Sequence, residues 1–146
     1  MKYMFLLVAA ASGIAMALQG SINGALGKIV GVLEGTFLVH AIGLVLVSIL
    51  LFLIGLGRGD LSRIGEVPWY LYLGGVINVA IIYGVMLSIS KEGAGNATTA
   101  IIVGQLVMAM IIDCFGLFGL EKFSFTWGRG VGLVLMAIAA KLLLNK

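Results

Sequence analysis

Seven polar or acidic side chains lie inside apolar stretches of this chain, and they are the residues able to do chemistry. Ser12, Gln19 and Asn23 follow one another at i, i+7 and i+11, which places them on one face of a helix. His40 and Asn78 each stand alone in runs of aliphatic residues. Gln105 and Asp113 belong to a row of four-residue steps, Ala97, Ile101, Gln105, Ala109 and Asp113, and so point in roughly one direction. Amides and an imidazole at these positions can hydrogen-bond a solute or a neighbouring helix. A carboxylate can offset a cation or exchange a proton. The alternative for each amide is an interhelical hydrogen bond, worth roughly 0.6–2 kcal/mol. For Asp113 it is a position near enough to one membrane face to reach interfacial water. Glu34 opens an apolar run, where an acid suits the positive end of a helix dipole; it is a second possible charge or proton site.

The elements carrying these residues follow from composition. The 146 residues are 62% hydrophobic and only 10% charged, with a mean hydropathy of +1.21. So few polar residues cannot cover so apolar a core, and lipid must be the outer solvent. About 20 apolar residues span the hydrocarbon layer. Charged and Gly/Pro punctuation divides the chain into five such runs, about 3–27, 34–56, 68–90, 96–119 and 124–144, in one membrane domain covering 1–146. The opening "MKYMFLLVAAASG" imitates a signal peptide, but its apolar pattern runs on through Ala25 and reads as the first span. The sequence thus predicts an all-α integral membrane protein with five transmembrane helices per protomer.

An odd number of spans puts the termini on opposite faces, and the positive-inside rule can be applied. Lys2, Arg58, Arg63, Lys122 and Arg129 fall on one side; Lys28, Lys91, Lys141 and Lys146 fall on the other. This balance selects no orientation: either short loops carry few charges by chance, or another protein decides the orientation, or the chain inserts both ways, and the last yields the expected antiparallel homodimer with ten helices. The aromatic residues are less even: Tyr3, Trp69, Tyr70, Tyr72 and Trp127 all lie near the N-terminal face. Small residues let membrane helices approach closely. Gly13, Gly20, Gly24 and Gly27 form a stripe on the first span, and Gly128 and Gly132 a GxxxG on the fifth; both predict packing between helices or protomers. Lys141 and Arg129, near helix ends, are expected to snorkel.

Other classes find little support. Nine basic residues scattered singly make no nucleic-acid patch. One Cys and one His without metal-ligand spacing predict no metal site and no cofactor. No catalytic motif is visible, and an enzyme is not expected.

"LQGSINGALGK", "PWYLYLGG" and above all "ATTAIIVGQLVMAMIIDCFGLFG" resemble the YdcZ-type branch of the drug/metabolite transporter superfamily, in matching order over nearly the whole chain. The block from Gln105 to Gly119 is the most specific piece. Members of that branch are described as bacterial inner-membrane transporters, occurring as dual-topology single genes, gene pairs or fused ten-span proteins. The wider superfamily works by alternating access between inverted halves. Its small multidrug members use a Glu in the first span. Here that span carries only Gln19 and Asn23, so proton-coupled cation export does not carry over. The resemblance implies a small-solute exporter of the bacterial inner membrane, and the intramembrane polar residues predict a pathway lined by Gln19, Asn23, His40, Asn78 and Gln105. A small dual-topology channel and a non-transporting assembly protein are the alternatives.

Overall fold

Helix α1 runs from Lys2 to Val30 without interruption, because nothing in its sequence stops it until Gly31. The computed structural model describes residues 2–144; Lys146, counted above in the charge balance, lies outside the described residues. At Gly31 the backbone takes φ 102 and ψ 149, and α2 begins at once with Val32–Ser48. The expected linker between the first two spans is therefore a single-residue break. The Glu34 carboxyl folds back over Gly31 and occupies the space where a Cβ would stand. That position, in the first turn of α2, also suits its negative charge.

Helix α2 closes in a wider π-helical turn, Ile49–Leu53. A surface loop follows, with two short 3-10 turns at Leu61–Glu66 and Trp69–Tyr72. Asp60 caps the first by accepting from the Ser62 amide at 2.9 Å. Arg63 and Glu66 pair at 2.8 Å across its exposed side, and the Tyr72 hydroxyl donates back to the Ile64 carbonyl. Trp69 and Tyr70 meet edge to face with centroids 6.3 Å apart, in the aromatic cluster that the sequence places at one interface.

Helix α3 covers Leu73–Phe115, with a kink at Gly93, where φ is 81 and ψ 164. That backbone region is open essentially to glycine alone. It divides α3 into two limbs, 73–92 and 94–115. The chain separates into two compact units at nearly the same place, Met1–Lys91 and Glu92–Lys146.

In the first unit α1 packs on α2, and the first limb of α3 closes over the glycine stripe of α1. Gly20 faces Val85 and Ile89, Gly24 faces Ile89, and Gly27 faces Met86, each so closely that an added Cβ would stand 2.7–2.8 Å from a side-chain atom. Gly35 of α2 meets the same Met86, which is 0% exposed and forms the centre of the unit. Gly13, two turns nearer the N-terminus, has no neighbour within 4 Å of such a Cβ among the described residues.

In the second unit the limb 94–115 connects to α4, Trp127–Leu144, through a short 3-10 turn at Leu117–Gly119. The helix ends at Phe115 because Gly116 enters the left-handed region at φ 63, four residues before the expected limit at 119. The Phe123 amide returns to the Asp113 carbonyl at 2.9 Å and pins the turn. Thr126 then caps α4, its carbonyl and hydroxyl both accepting from the Arg129 amide. Among the described residues, Gly128 and Gly132 on α4 have no neighbour within 4 Å of an added Cβ.

Tyr3–Val30, Val32–Leu53, Trp69–Phe115 and Trp127–Leu144 are all long and apolar enough to cross a membrane. Their outward side chains are overwhelmingly aliphatic and exposed, as a lipid-facing surface requires. Several side-chain hydroxyls turn inward on their own helix: Ser12 donates to the Val8 carbonyl, Ser21 to Ala17, Thr36 to Val32 and Thr99 to Gly95. This costs little and leaves few polar groups for lipid to meet.

Candidate functional site

Three residues singled out by type meet in the first unit. Gln19 from α1, His40 from α2 and Asn78 from the first limb of α3 line one cavity of about 320 Å³, with Val39, Leu44 and Ile82 as apolar walls. His40 Nδ1 lies 2.8 Å from the Thr36 carbonyl one turn earlier. A carbonyl only accepts, so the ring proton sits on Nδ1. Nε2 then offers a lone pair, and the Asn78 side-chain amide donates to it at 3.1 Å. Two helices are thereby tied through a neutral imidazole. The Gln19 amide, with no side-chain hydrogen bond among the described residues, keeps its full donor and acceptor capacity for whatever enters.

Asn23 lies one turn further along α1 and is 5% exposed. It stands beside Gly24 in the packed glycine stripe and does not line this cavity. Gln105 belongs to the second unit and is exposed on the limb 94–115. Glu34 sits over Gly31 and does not line this cavity.

The second unit holds a relationship that sequence reasoning missed. Asp113 Oδ2 and Arg129 Nη1 stand 3.9 Å apart, and the Arg129 guanidinium carbon lies 5.7 Å from the centroid of the Phe123 ring. The carboxylate is thus accompanied by a cation, which lowers the cost of placing it among apolar residues. Both side chains line a cavity of about 300 Å³ with Leu106, Met110, Leu133 and Met136. The signal was available: counting from the helix ends places Asp113 and Arg129 near the same membrane face. Taking Arg129 as a snorkelling residue concealed it.

A third cavity, of about 380 Å³, lies at the surface loop between Asp60, Arg63, Glu66 and Pro68. Its charged groups are already matched, Asp60 by Ser62 and Arg63 by Glu66.

Long apolar helices with polar side chains turned into cavities define a multi-pass membrane protein. A family model described as "Putative inner membrane exporter, YdcZ" matches residues 4–142. The chain belongs to this family, within the drug/metabolite transporters, and is a multi-pass membrane protein of exporter type. No curated protein and no solved structure matches it.

Proposed function

We propose that this protein exports a small polar solute across the bacterial inner membrane by alternating access in an antiparallel homodimer. The observation that carries the reading is the cavity in which Gln19 joins the His40–Asn78 pair. It offers a hydrogen-bonding surface between three apolar helices, suited to a small solute that sheds water there. Rocking of these helices about the glycine contacts would expose the cavity to each face in turn.

Helix length supports five crossings per protomer. The stretch Trp69–Phe115 has 47 residues, about 70 Å of helix at 1.5 Å per residue. That is more than twice the roughly 30 Å of hydrocarbon, and Gly93 supplies the break between two crossings. With the other three helices this gives five, and termini on opposite faces. The near-equal Lys and Arg counts on the two sides favour insertion in both orientations. Gly13 and Gly128, where an added Cβ would meet nothing within 4 Å among the described residues, are then surfaces for the second copy. Inverted copies about a midplane site are the usual build of secondary transporters.

Orientation in native membranes tests the reading. With Cys114 replaced by Ser and one cysteine added at the C-terminus, a membrane-impermeant thiol reagent on intact cells should label near half of the molecules. The remainder should react only after permeabilisation. Uniform labelling or uniform protection would overturn the antiparallel homodimer.

A further inference from the structure

Asp113 and Arg129 are at the outer limit of an ion pair. At 3.9 Å they exceed the roughly 2.7–3.2 Å of a hydrogen bond. No described residue hydrogen-bonds either head group through side chain or backbone. The carboxylate has about four lone-pair sites and the guanidinium five N–H donors, and each side chain is about two-fifths exposed. Phe123 supports the guanidinium from one side and leaves its N–H edge free. Within a membrane helix such unspent polar capacity is expensive and marks a place where a ligand's polar groups are useful.

The shape of the site narrows the ligand. About 300 Å³ is the small end of ligand cavities, which run roughly 300–1,000 Å³. Beyond the two charges the walls are aliphatic or thioether: Leu106, Met110, Leu133 and Met136. Charge narrows it further. An isolated anion on Arg129 would have Asp113 as a like-charged neighbour, and an isolated cation on Asp113 would have Arg129. A molecule carrying both charges on adjacent groups can lie antiparallel to the protein's pair. Every charge then has only opposite neighbours, and the site stays neutral.

We infer that this cavity binds an α-amino acid with an apolar side chain of about leucine or methionine size. Its carboxylate sits on Arg129, its ammonium on Asp113, and its side chain lies between Leu106, Met110, Leu133 and Met136. The assignment rests on the export reading and names the substrate class for it.

The test is equilibrium binding of radiolabelled L-leucine to the purified full chain in detergent micelles. L-methionine should compete, whereas leucinamide, which lacks the carboxylate, and 4-methylpentanoate, which lacks the ammonium, should bind at least tenfold more weakly. Arg129→Gln and Asp113→Asn should each weaken leucine binding tenfold or more. Gly132 lines the cavity with open space around its Cα, so Gly132→Leu fills it without altering a charge. That variant should lose leucine but keep L-alanine, and it serves if the charge variants fail to fold. Equal competition by either single-charge analogue, or unchanged leucine binding in the charge variants, would overturn the assignment. So would absence of leucine binding, or its displacement by phosphatidylethanolamine in nanodiscs, which would make a lipid headgroup the occupant. Export of another solute by a protein that does not bind leucine would sink this assignment and leave the export reading intact. Leucine binding without flux in liposomes would do the reverse.

Discussion

The Asn78 side-chain amide donates to His40 Nε2 at 3.1 Å, joining two residues 38 positions apart and on different helices. Because His40 Nδ1 is committed to the Thr36 carbonyl, the imidazole can accept at Nε2 only while neutral. Protonation would turn Nε2 into a donor facing a donor, and Asn78 would have to present its carbonyl instead. The pair therefore couples the charge of His40 to the orientation of an amide on the cavity wall.

Replacing Asn78 by Leu should lower stability by about 0.6–1.7 kcal/mol, the range for interhelical hydrogen bonds in membranes. His40→Leu should do the same, and the double variant should cost clearly less than the sum. Unfolding of the four proteins in mixed micelles measures the coupling. Strict additivity would mean that the hydrogen bond contributes nothing.

Glycines on the same stripe should respond oppositely to alanine. At Gly24 a Cβ would stand 2.7 Å from Ile89 Cγ2 and 3.2 Å from Ile89 Cβ. A β-branched side chain has little freedom to yield, so Gly24→Ala should cost about 1–3 kcal/mol. Gly13 has open space, and Gly13→Ala should gain about 0.5–1 kcal/mol of protomer stability from the helix backbone. If Gly13→Ala also weakens dimerisation in cross-linking, the stripe continues into a contact between copies.

The break in α3 should be intolerant of any side chain. Gly93→Ala, forced into φ 81 and ψ 164, should lose about 1–3 kcal/mol. Gly95→Ala, where a Cβ meets nothing within 4 Å, should be neutral or mildly stabilising. Thermal unfolding of the two variants in detergent separates them. Equal behaviour would show that α3 runs straight through position 93.

Asp60 predicts an acid sensitivity confined to the surface loop. The Ser62 hydroxyl and amide both donate to its carboxylate and hold its pKa below the ordinary value of 3.8. A value depressed in the folded loop means that the stabilisation is complete above the unfolded pKa. It is lost as pH falls through the folded one. The Ser62 amide should exchange hydrogen more slowly in the parent than in Asp60→Ala at neutral pH. The difference should vanish once the medium is more acidic than the folded pKa. A difference that persists in acid would assign the protection to backbone geometry alone.

The apolar runs made the helices legible, because a chain with so little charge has only one way to satisfy its backbone in lipid. The limits of the helices were less so. "CFGLFG" reads as continuous span by hydropathy, but Gly116 ends the helix by conformation, which apolarity does not report. Gly31 is one glycine among many, and only its backbone angles distinguish a break from a packing residue. Among the candidate site residues, residue type alone drew attention to Gln19, His40 and Asn78, whereas their convergence on one cavity depends on three helices and no local pattern encodes it. Asn23 shares a helical face with Gln19, yet a buried amide in a packed stripe and a cavity amide look identical in sequence. For Asp113 and Arg129 the obstacle was the intervening turn, which brings together two charges read as separate accommodations to the membrane surface.

That pairing has an electrical consequence. Carrying one charge through the membrane potential is worth about 2.3 kcal/mol per 100 mV. Asp113 and Arg129 have no net charge as a unit, and a zwitterion lying against them adds none. Any motion that carries the three together does no work against the field. Flux through this site would then be set by concentrations on the two sides, and the cell's voltage would neither drive it nor brake it.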